Sequence, residues 1–73
     1  MGEYSVVLFR SSSHALRAEK VLQGADISIK MIPTPRQLSA DCGMSLRFDR
    51  VHQEQVACVL AEHEVPINGI HAI

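Results

Sequence analysis

Seventy-three residues carrying seven basic and eight acidic side chains make one small domain, residues 1–73, of the size that buries only about 60% of its unfolded surface. Nearly half the residues are apolar, yet two Phe, one Tyr and no Trp are the only aromatic residues, so the core is expected to be thin and aliphatic. The near-neutral charge argues against a nucleic-acid or anionic-membrane partner. The apolar run Val6 to Phe9, behind Glu3, is too short for a signal-peptide core or a spanning helix, and a cytoplasmic protein is expected.

Tyr4 to Phe9 is rich in β-branched and aromatic side chains and reads as a first strand. Ser11, Ser12 and Ser13 then offer N-caps for a helix from His14 to Gln23. Ala15, Ala18, Val21 and Leu22 line one face of it, Arg17, Lys20 and Gln23 the other, and Gly24 stands where a stop is expected. Ile27, Ile29 and Met31 alternate with Ser28 and Lys30, a half-buried strand that Pro33 should end. Met44, Leu46 and Phe48 alternate with Ser45 and Arg47 in the same way. Asp49 is a candidate cap for a second helix with the stripe Val56, Val59 and Leu60, broken at Val65-Pro66 and followed by a last strand from Ile67 to Ile73.

The order β-α-β-β-α-β predicts an α+β, ferredoxin-like sandwich: a four-stranded antiparallel sheet in the order 4-1-3-2 with two helices on one face. Right-handed crossovers would then bring the end of the first strand, the start of the first helix and the connection between strands two and three to one end of the sheet. Val6 to Phe9 put apolar side chains on both faces of a central strand, which suggests a homodimer covering the open face.

The connection between strands two and three is the richest in chemistry. It runs Pro33-Thr34-Pro35-Arg36-Gln37-Leu38-Ser39-Ala40-Asp41-Cys42-Gly43 and presents a cysteine beside a glycine at the end of a stiff polar loop. The thiolate is the nucleophile, and a free cysteine titrates near about 8.5, so neighbours must favour the anion. Arg36 or Arg10, the first amides of helix one and the hydroxyls of Ser11, Ser12 and Ser13 are the candidates. Asp41 opposes them, but adjacent residues of an extended segment point to opposite sides. Gly43 leaves room beside the sulfur and admits backbone angles closed to other residues. His14 is placed to accept the thiol proton.

Phe9, Ser11, Ala15, Leu16, Glu19, Ile32, Pro33, Pro35, Arg36, Ser39, Cys42, Gly43 and Phe48 together resemble a small bacterial family of selenium/sulfur carrier-like domains. Its hallmark is a Pro-Arg followed by a Cys-Gly, matched here by Pro35-Arg36 and Cys42-Gly43. Members occur alone or behind a sulfurtransferase-type module in selenium-metabolism proteins. The resemblance implies a carrier rather than a turnover enzyme: Cys42 holds sulfur or selenium as a persulfide or perselenide, between a protein donor and a protein acceptor, with no metal or organic cofactor. The competing reading is a protein- or small-anion-binding regulatory module in which Cys42 is only a redox-sensitive contact. A third is an oligomerisation module packed through the sheet.

Cys58, sixteen positions after Cys42, lies opposite the apolar stripe of helix two with no basic neighbour to activate it, so it reads as an inert cysteine outside any disulfide. His14, His52, His63 and His71 lack metal-ligand spacing and read as surface or core-edge side chains.

Overall fold

The computed structural model describes residues 3–35, 37–38 and 43–73. Strand β1 (Tyr4–Leu8) leads into helix α1 (Ser12–Gly24), and β2 (Ile29–Pro33) is followed by β3 (Met44–Asp49). A 3-10 turn (Arg50–His52) then opens helix α2 (Gln53–Glu62), and β4 (Gly69–Ala72) closes the fold. The strands form one sheet in the order β2-β3-β1-β4, every neighbouring pair antiparallel. Read from the other edge, this is the expected 4-1-3-2.

Strand alternation divides the side chains between two faces. Val7 and Phe9 from the first strand and its exit, with Leu46 and Phe48 of β3, pack against Ala15, Ala18 and Leu22 of α1 and Val56 and Leu60 of α2. The two alanines let α1 lie close to the sheet, and Phe9 and Phe48 fill the space between the layers. Each such Leu or Phe contributes roughly 1.5–3 kcal/mol by leaving water. No helix among the described residues is long and apolar enough to cross a membrane.

Both helices end in the same way. The amide of Ile27 donates to the Leu22 carbonyl at 3.1 Å and that of Asp26 to Gln23 at 3.1 Å; Val65 to Leu60 at 2.9 Å and Glu64 to Ala61 at 3.1 Å repeat the pattern. Asp26 (φ 62°) and Glu64 (φ 55°) hold the left-handed position of these Schellman turns. α1 ends at Gly24, where the stop is expected, but the left-handed residue of the turn is Asp26. Ile27 is buried as the apolar clasp of the turn, so β2 starts at Ile29, two residues later than the alternation suggests. Pro33 is the last residue of β2, tolerated because β2 is an edge strand and the missing amide costs no ladder bond.

Two further expectations are corrected, and the premise of a third is removed. Ser11 is the N-cap residue of α1 but makes no side-chain cap bond; its hydroxyl pairs with that of Ser13 at 3.0 Å. Asp49 likewise precedes the 3-10 turn without a cap bond. On the open face, Val6 (0% exposed) and Leu8 (2%) are already buried within the single chain, which removes the apolar exposure that suggested a covering second copy.

Candidate functional site

The register places the chemistry-bearing segments at one end of the sheet. Leu8 lies opposite Ser45 and Pro33 opposite Met44, so the β2–β3 connection leaves the sheet where β1 runs into α1. Strand one's end, helix one's start and the base of this connection therefore share one end of the sheet, as expected. Cys42 and Arg36, with Ser39, Ala40 and Asp41, lie outside the described residues; Thr34, Pro35, Gln37, Leu38 and Gly43 frame them.

That frame is built from main-chain bonds and one part-buried hydroxyl pair. The Thr34 amide donates to the Gly43 carbonyl at 3.0 Å, continuing the β2–β3 ladder one step beyond Pro33 and Met44. The Thr34 hydroxyl meets that of Ser45 at 2.6 Å, and Ser45 is fully buried. Alternation alone made Ser45 a water-facing residue; its bond to Thr34 allows its burial. Leu38 donates its amide to the Pro35 carbonyl at 3.0 Å, a turn just inside the connection. Pro35 has no amide to offer and fixes its own φ, so the segment begins stiffly.

Gly43 is exposed, and apart from Gly43 itself and its chain neighbours no heavy atom of the described residues lies within 4 Å of where a Cβ would stand. Its φ is not in the left-handed region, so the special backbone freedom expected of it is not used.

Ser12 and Ser13 are exposed and Ser11 is half-buried at the start of α1. The α1 amides point out of the helix start with no serine cap on them, leaving that end able to receive an acceptor. His14 is half-buried, and its Nδ1 is shielded from solvent with no hydrogen-bond partner among the described residues. An unmet buried nitrogen costs about 1–3 kcal/mol, and it lies in the first turn of α1, at the loop's end of the sheet.

Cys58 is exposed on α2, its Sγ 3.9 Å from Oε1 of Glu62. His52 is half-buried, and His63 and His71 are exposed. Among the described residues no three His, Cys, Asp or Glu side chains gather as a metal site would require.

The residues that sequence reasoning missed are Thr34, which clasps the loop, and Lys30, Arg47 and Tyr4, which meet on the open face. Alternation put Lys30 and Arg47 on water-facing positions, but only the register sets them side by side.

The family described as "Putative Se/S carrier protein-like" matches residues 3–72. No curated protein and no solved structure matches the chain.

Proposed function

The chain belongs to the Se/S carrier-like family, and from that membership we propose that it carries sulfur or selenium on Cys42. The observation that carries this reading is the coincidence of the family match with the Pro35-Arg36 and Cys42-Gly43 pair on a connection whose base is clasped by Thr34 and Gly43. The strand order and the common helix layer also support reading the domain as ferredoxin-like.

In this reading the Cys42 thiolate attacks the terminal sulfur of a donor protein's persulfide. A bond forms between the Cys42 Sγ and that sulfur, the donor's S–S bond breaks, and the donor leaves as a thiolate; no net oxidation takes place. An acceptor nucleophile then takes the terminal sulfur and returns Cys42 to the thiolate. A perselenide is transferred by the same steps. Arg36 stabilises the anion, Gly43 leaves room for the incoming chalcogen, and Ser11, Ser12 and Ser13 supply hydroxyl donors at the start of α1. His14, with its unpartnered Nδ1, accepts the thiol proton. A reducing compartment such as the cytoplasm keeps such a thiol free.

Intact mass after incubation with a persulfide donor tests the reading. The parent protein should gain one sulfur, lost on treatment with a reductant, and Cys42→Ser should gain none. Equal gain by both proteins, or none by the parent, overturns it.

A further inference from the structure

The open face of the sheet holds a charge arrangement unrelated to the cysteine loop. Lys30 and Arg47 stand directly opposite each other on β2 and β3, on the face away from the helices. Like charges so paired destabilise a sheet, and among the described residues neither cation has a carboxylate within ion-pair distance; the pair that forms joins Arg50 to Glu3. The Arg47 guanidinium instead lies over the Tyr4 ring, 4.3 Å from its centroid. A cation over a ring face is held there without using its N–H donors.

These three side chains line an open cleft of about 410 Å³. Asp49 lines it as well, opposite Tyr4, without an ion pair to either cation. Glu19, Asp26, Glu54, Glu62 and Glu64 belong to the helices and their closing turns, so five carboxylates sit in the other layer.

We propose that this cleft binds a tetrahedral oxyanion dianion, the phosphate group of a small molecule or free phosphate or sulfate, between the Lys30 ammonium and the Arg47 guanidinium. A tetrahedral dianion relieves the cross-strand repulsion and accepts charge-assisted bonds from both side chains. A polyanion is disfavoured: the chain's net charge is −1 and Asp49 stands in the cleft. The site makes no use of Cys42 and stands whether or not the carrier reading holds.

The test is a titration of the full chain with inorganic phosphate, and separately with sulfate, at constant ionic strength set by sodium chloride, followed by amide chemical shifts. Saturable shifts at Tyr4, Lys30 and Arg47 are expected with both anions, about tenfold weaker in Lys30→Gln and in Arg47→Gln. Lys30→Gln should also raise the melting temperature in phosphate-free, low-salt buffer, because it removes the repulsion, and lose the parent's further rise on adding phosphate. Shifts that grow linearly without saturating, equal affinity in Lys30→Gln, or an equal response to chloride alone overturns the proposal.

Discussion

The amide of Thr34 and the carbonyl of Gly43 are joined at 3.0 Å, and the hydroxyl of Thr34 is joined to that of Ser45 at 2.6 Å. One residue thus closes the β2–β3 connection through its main chain and anchors it to the sheet through its side chain. The connection that bears Cys42 therefore leaves from, and returns to, a clasped base.

Thr34→Val keeps the branched shape and removes the hydroxyl, leaving that of the buried Ser45 without its partner. Stability should fall by about 1–3 kcal/mol, read as a lower urea midpoint with an unchanged slope. Thr34→Ser, which keeps the hydroxyl, should recover most of the loss.

The left-handed residues Asp26 and Glu64 offer the opposite sign. Each bears a Cβ where the backbone favours glycine. Asp26→Gly and Glu64→Gly should each raise stability, by up to about 1 kcal/mol, with the larger gain at Glu64 because Asp tolerates this conformation better than Glu. Thermal unfolding of the two variants checks both sign and order.

Leu46 is 0% exposed and lies between Val7 and Met31 in the sheet, facing the helices. Truncation by Leu46→Ala should cost about 2–5 kcal/mol, including the cavity it leaves. For so small a domain that is a large part of total stability, and the circular-dichroism signal at 37 °C should drop markedly.

Cys58 gives a control for the thiol chemistry. Exposed on α2 beside Glu62, it should alkylate like an ordinary accessible cysteine. Cys58→Ser should leave sulfur loading from a persulfide donor unchanged, as read by intact mass. Loss of loading in this variant would transfer the carrier role from Cys42 to Cys58.

The order of strands and helices was legible in the chain, because hydrophobic periods of 2 and 3.6 are local properties. Ala15, Ala18 and Leu22, or Leu46 and Phe48, declare their core face within a single element. So was the Pro35-Arg36 and Cys42-Gly43 signature, which the family match accompanies over residues 3–72. What the chain could not declare depends on contacts between distant residues. That Ile27 would serve a helix end rather than a strand was decided by its amide bond to the Leu22 carbonyl, and that Ser45 would be buried was decided by Thr34 eleven residues earlier. Val6 and Leu8 found cover within one chain, and Lys30 met Arg47, only once the antiparallel register was set. Periodicity assigns a side chain to a face, but pairing between strands assigns its neighbours, and it is neighbours that set burial, hydrogen bonding and charge.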